Sequence, residues 1–196
     1  MKYCLIILIL VSTAGCSNLN RPAPGGFVGY ELVEMSLNEF DEFAGEVGYN
    51  FDSVNQVRLI RMNVDLKERH LSSDEASAVT GSGVSGTFTG WEVSYDRYLF
   101  DSNFFVSLNA GEYEFNYIHN SLNETSETKS ITLGTGFGYT DSNFLDTEGL
   151  YLTFSYPIRA LFTKVEEKEL GSATVNELNT LDNIWFFIGY KFLKFV

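Results

Sequence analysis

The sequence predicts an all-β chain of eight antiparallel strands, connected up and down in order. Three observations carry that expectation. From Phe27 onward, apolar residues recur at every second position and almost never with a helical period. A nearly repeated turn follows an aromatic run three times, at Asp52-Ser53, Asp101-Ser102 and Asp141-Ser142. The links also alternate in length: short and Asp-Ser-bearing after strands 2, 4 and 6, long and polar after strands 3, 5 and 7. Asp and Ser side chains bond the local backbone and close tight turns, which is why one dipeptide serves each short link.

Length and composition bound the rest. At 196 residues and 44% hydrophobic content, the chain is one folded domain behind an N-terminal segment. A net charge of -13 excludes nucleic acid as a partner, because phosphate binding requires Lys and Arg to displace counterions. No long apolar run in the body of the chain suits a membrane-spanning helix. Residues 1–15 read as a signal peptide, with Lys2 ahead of the apolar stretch Tyr3 to Val11. Thr13-Ala14-Gly15-Cys16 resembles the bacterial lipobox, departing from it in having Thr first. The resemblance implies that Cys16 is lipidated, so labelled palmitate would enter it, and becomes residue one of the mature chain. Ordinary signal cleavage nearby is the alternative. Ser17 rather than Asp after that Cys implies sorting to the outer membrane. Cys4 lies in the segment that is removed, so the mature chain forms no internal disulfide. Residues 16–25, with Pro22, Pro24 and Gly25, read as a lipidated tether, and 26–196 as the barrel domain.

The strands follow in order. Strand 1 covers about 26–35. Strand 2 sets Phe43, Val47, Tyr49 and Phe51 against Ala44, Glu46, Gly48 and Asn50. Strand 3 sets Ile60, Met62, Val64 and Leu66 against Arg61, Asn63, Asp65 and Lys67. Strands 4 and 5 cover about 87–100 and 103–118. Within strand 5 the apolar parity changes, from Phe104, Val106, Leu108 and Ala110 to Tyr113, Phe115 and Tyr117. A bulge near Ala110-Gly111 would restore one apolar face and turn Glu112, Glu114 and Asn116 inward. The alternative is a strand that leaves the bilayer near Gly111. Strand 6 sets Ile131, Leu133, Thr135, Phe137 and Tyr139 against Ser130, Thr132 and three glycines. Strand 7 sets Leu150 through Phe162 against Tyr151, Thr153, Ser155, Pro157, Arg159 and Leu161, alternately. Strand 8 covers about 183–196.

Short turns at one end and long loops at the other resemble the eight-stranded outer-membrane barrels of the OmpA and Ail types. The resemblance spans roughly Gly26 to Val196. It implies a closed, porin-like transmembrane β-barrel with short periplasmic turns and long extracellular loops, in the outer membrane of a Gram-negative bacterium. The residues point the same way. The apolar faces carry too much aromatic bulk for the bore of an eight-stranded barrel. The opposite faces mix Gly29, Gly48, Gly90, Gly134, Gly136, Gly138 and Gly189 with charged residues, which suits a narrow polar interior. A soluble, lipocalin-like lipoprotein barrel, with the faces inverted, is the alternative. The last strand, with Ile184, Phe186, Ile188, Tyr190 and Phe192 on one face, resembles the terminal strand read by the barrel insertion machinery. It departs at Lys194 and Val196.

Charged residues of inward parity form the expected site. Glu31, Glu46, Arg61 and Lys191 fall at similar depth and are expected to form a Lys191–Glu31–Glu46–Arg61 chain. A second layer sets Arg159 opposite Asp65, Glu92 and Glu112. Such pairs would plug the bore. His119-Asn120-Ser121, with Glu124 and Glu127 following, resembles the His-x-Ser plus Glu arrangement of outer-membrane lipid A 3-O-deacylases, which would make His119, Ser121 and Glu124 catalytic. Against it stands an ordinary loop histidine, and the residues around it do not match that family. The acidic loop residues Glu166, Glu167 and Glu169 read as a solvated face rather than a divalent-cation bridge to lipopolysaccharide. The reading is therefore a non-enzymatic, monomeric surface barrel. It implies no metal or cofactor, and its partners are membrane lipid, lipopolysaccharide and the insertion machinery.

Overall fold

Eight strands pair edge to edge until the last meets the first. The computed structural model describes residues 23–32, 43–65, 84–162, 168–170, 173–175 and 184–192. The strands are β1 (Gly25–Glu31), β2 (Phe43–Asn50), β3 (Asn55–Asp65), β4 (Val84–Tyr98), β5 (Phe104–His119), β6 (Glu124–Asp141), β7 (Leu150–Leu161), β8 (Lys168–Leu170), β9 (Ala173–Val175) and β10 (Trp185–Lys191). The barrel order is β1-β10-β7-β6-β5-β4-β3-β2, closed by β2 against β1, and every pair is antiparallel. β8 and β9 form a separate small hairpin within the β7–β10 link. The chain is thus an all-β, eight-stranded, up-and-down barrel. The signal peptide, Cys16 and most of the tether lie outside the described residues, as do Leu66, Lys67, Lys194 and Val196.

The three Asp-Ser turns share a sequence but divide the work differently. In the β2–β3 turn, Asp52 Oδ1 accepts from the Val54 and Asn55 amides at 2.6 and 2.8 Å. These bonds hold the Asp52 carboxyl below its usual pKa, with the Asn55 side-chain amide as the largest contributor. In the β4–β5 turn Ser102 takes the role, donating to the Leu99 carbonyl at 2.6 Å and accepting from the Phe104 amide at 3.3 Å. In the β6–β7 link, Asp141 Oδ1 accepts from the Asn143 amide at 3.1 Å, ahead of a 3-10 turn at Phe144–Asp146.

Burial alternates along every long strand, but two strands place their faces otherwise than expected. On β3, Ile60, Met62 and Val64 are buried, while Arg61, Asn63 and Asp65 are exposed. Register dictates this: Asn50 pairs with Gln56 across the short turn, so the inward parity of β2 becomes that of Gln56, Arg58 and Ile60. On β5 there is no bulge. It pairs with both neighbours unbroken from Phe105 to His119, so Tyr113, Phe115 and Tyr117 point inward. Glu112 and Glu114 point outward, contrary to the expected inward turn. The link after β5 is also short. β5 and β6 continue as a hairpin closed by residues 120–123, where a long loop was expected.

Candidate functional site

The bore holds two charged layers. In the lower one, nearer the short turns, Arg58 Nε and Nη2 donate to Asp96 Oδ2 and Oδ1 at 2.6 and 3.2 Å. Its Nη1 donates to Glu46 Oε2 at 3.1 Å. The arginine side chain is 2% exposed and both carboxylates are fully buried. Each carboxylate has a further donor: Tyr151 OH to Glu46 Oε1 at 2.8 Å, and Gln56 Nε2 to Asp96 Oδ2 at 2.6 Å. Register explains the triad. Arg58 pairs with Gly48 and with Ser94, each two residues from one of its carboxylates, so both acids are diagonal neighbours on the inner face. In the upper layer, Arg159 Nε and Nη2 donate to Glu92 at 2.5 and 3.2 Å, and Tyr113 OH donates to Glu92 Oε2 at 2.8 Å. The Arg159 guanidinium also lies 4.5 Å from the Trp185 ring centroid.

Beyond that layer the interior becomes apolar. Met62, Val64, Phe88, Phe115, Tyr117 and Phe187 form one buried cluster, which Leu170 of the β8–β9 hairpin joins. Inward glycines give inward rings their space. Gly90 lies opposite Tyr113, and Gly48 opposite Phe27; a Cβ at either would run into the ring it faces.

Of the expected charge network, Glu31, Glu46, Glu92, Arg159 and Lys191 have bore-facing parity; Arg61, Asp65 and Glu112 do not. Arg61, on the outer face, instead donates to the Gly90 carbonyl at 3.2 Å. The single Lys191–Glu31–Glu46–Arg61 chain is not what forms. Lys191 pairs in register with Phe27, and Glu31 with Phe187, so tilt separates residues that a count from the strand ends puts level. Glu31 accepts from the Phe186 amide at 3.0 Å, and Lys191 Nζ donates to Ser142 Oγ at 2.7 Å. Sequence reasoning missed Arg58 and Asp96. The length of the Asp52 turn, carried across from the inward face of β2, was the signal that could have found Arg58.

The His119 motif is a turn cap. His119 Nδ1 faces the Ser121 and Leu122 amides at 3.4 and 3.2 Å, with Ser121 Oγ at 3.3 Å. A nitrogen that receives two backbone donors is poorly placed to act as base for the third group. His119 has inward parity and is 7% exposed. Glu124 pairs with it across the hairpin. Outward-facing Glu112, Glu114 and Lys129, the last two 3.0 Å apart, separate this turn from the apolar part of the outer wall.

Along β3–β6 that outer wall has a sharp boundary, whereas β2 carries exposed Phe43 in the register of Asn63. Nearer the short turns the wall exposes Val47, Leu59, Val93, Leu108, Leu133 and Ile158, among others. At the row Arg61–Trp91–Glu112–Ile131 it changes, and the next row is Asn63–Thr89–Glu114–Lys129.

No family model matches the chain, and no curated protein matches its sequence. Among solved structures, the chain is similar to the N-terminal β-barrel domain of Pseudomonas aeruginosa OprF, at 13% identity and a TM-score of 0.41, covering 88% of this chain and 100% of that one.

Proposed function

We propose that this chain is a non-enzymatic outer-membrane barrel of a Gram-negative bacterium, spanning the bilayer with β1–β7 and β10. Its long-loop end would face outward for adhesion, envelope integrity or ligand binding. The observation that carries this reading is the polarity of the wall: large apolar side chains are exposed around its outside, while Arg58, Glu46, Asp96, Arg159 and Glu92 are buried within. A belt of that extent greatly exceeds the apolar patches that water-soluble monomers expose, and it is what a spanning barrel presents to lipid. A lipocalin-like barrel would need the reverse arrangement. The two guanidinium layers and the aromatic cluster above them make the barrel a plugged one rather than a channel.

On this reading the barrel acts as a monomer, its partners are membrane lipid, lipopolysaccharide and the insertion machinery, and Cys16 carries a lipid at the end of the tether. Cell fractionation with a heat-modifiability gel tests the core of it. The chain should stay with outer membranes and migrate differently before and after boiling; recovery as a soluble protein would overturn the reading. Planar-bilayer recordings should show no steady ohmic conductance. Cys16→Ser should abolish palmitate labelling yet leave the protein in the membrane fraction.

A further inference from the structure

The apolar cup above the Arg159 layer is filled in part by a side chain that its wall does not supply. Met62 and Val64 of β3, Phe88 of β4, and Phe115 and Tyr117 of β5 line it from the barrel strands. Phe88 lies 5.1 Å from Phe115 and stacks at 5.2 Å on Tyr113, whose hydroxyl ends on Glu92. That bond and the Arg159–Glu92 pair close the floor, so the cup ends below on neutralised charge. On the β6 side the wall contributes the small side chains Ser126, Ser130 and Thr132, and β8 lies against β6. Leu170 enters from there. It is 0% exposed, while its neighbour Glu169 is exposed.

Leu170 is also held differently from the residues around it. They stand on strands laddered to both neighbours; β8 has three residues and, among the described residues, pairs with three-residue β9 and with no other strand. A two-stranded hairpin is at best marginal in water by itself. Its order therefore depends on the burial of Leu170. Burial of an aliphatic group is non-directional, however, and scales with the apolar area removed from water. Another aliphatic group of similar girth, arriving in the cup, would gain what Leu170 gains.

We propose that the β8–β9 hairpin is a displaceable lid, and that Leu170 occupies the place of an aliphatic tail belonging to an external ligand. This rests on the reading of the long-loop end as outward-facing and gives the ligand of that end a chemistry: one slender aliphatic tail in the cup, with any polar head at the rim beside His119 and Ser126. Tail and hairpin exclude each other, so the ligand favours the state in which the β7–β10 link is released.

The test uses the full mature chain carrying Trp91→Phe, in lipid nanodiscs that leave both faces open. Trp185, a member of the same buried cluster, is the reporter, and bromohexanoate is the probe. Quenching should saturate, reverse with excess hexanoate, and tighten about tenfold in Leu170→Ala, where the closed lid no longer competes. In the wild type the probe should speed trypsin cleavage after Lys168 severalfold, and exposed Glu169→Ala should behave alike. Binding by Leu170→Ala alone, with the wild type neither quenched nor cut faster, would make the hairpin a fixed part of the fold and overturn the proposal. Linear, unsaturable quenching in both proteins would overturn it as well. Should Leu170→Ala fail to fold, the two wild-type measurements decide. A chain that stays out of nanodiscs would tell against the membrane reading, and the same titration on the soluble protein would still judge the cup.

Discussion

Strand β5 carries two halves of opposite design at one parity. From Phe104 to Ala110 it turns Val106 and Leu108 outward and Ser107 and Asn109 inward; from Glu112 onward it turns Glu112 and Glu114 outward and Tyr113, Phe115 and Tyr117 inward. The lower half has an apolar outer wall around buried charge, the upper half a polar outer wall around an apolar core. Nothing in the backbone marks the change, since the ladder runs through Gly111 without interruption. Alternation therefore reports which residues share a face. It does not report which medium that face meets.

The comparison can be broken first at the lower charged layer. Arg58→Leu leaves Glu46 and Asp96 buried without their cation and should destabilise the barrel by about 4 kcal/mol, read from urea unfolding in vesicles. Arg61→Leu, three residues on but outside, should cost under about 1 kcal/mol. Equal effects would mean that the faces of β3 are assigned the wrong way round. In the upper half, Phe115→Ala removes a fully buried ring that packs 5.1 Å from Phe88. It should cost about 3 kcal/mol by the same measurement, as expected of a soluble core. A near-zero effect would show that the upper interior is not packed. Gly90→Ala drives a methyl against the Tyr113 ring and should cost about 2 kcal/mol. Gly48→Ala, against Phe27, should match it if such ring niches work alike in both halves.

The smallest effect belongs to the turns. The Asp52 carboxyl has a depressed pKa in the folded state, so its contribution is fully present above its unfolded value, near 4. It is lost as pH falls through the lower folded value. The stability difference between wild type and Asp52→Asn should thus hold at neutral pH and vanish in strong acid. A difference that grows on acidification would contradict the turn geometry.

The sequence made β2, β6, β7 and the outer face of β10 legible because those strands keep one chemistry on each face along the length it could sort. The β3 and upper β5 assignments failed for one reason. Sorting by hydrophobicity assumes that apolar residues face one medium throughout, and these strands outrun the belt. Ile60, Met62 and Val64 look lipid-facing until the register with Asn50 and Glu46 turns them inward. Once they were taken as outward, Arg58, of the same parity, could not be seen as the cation of the bore. The Glu92–Arg159 pair was accessible because both lie on faces that sort correctly, whereas Glu112 and Asp65 were set beside them by the inverted assignments. The reach of the β5–β6 hairpin was hidden because "HNSLNETSETK" reads as a polar loop, although Thr125 to Lys129 continue a ladder whose outer face is polar.

The change at Gly111 also bears on how the strand finds its place. A strand that alternates uniformly is degenerate: slipping it two residues against its neighbour restores every side chain to its own face. β5 lacks that freedom. A two-residue slip would keep Phe115 inside but carry Glu112 or Ala110 across the level where the outer wall changes character. A one-residue slip would turn Asn109 outward and Phe115 outward together. The reversal thus acts as a vernier mark, distinguishing registers that simple alternation leaves equivalent.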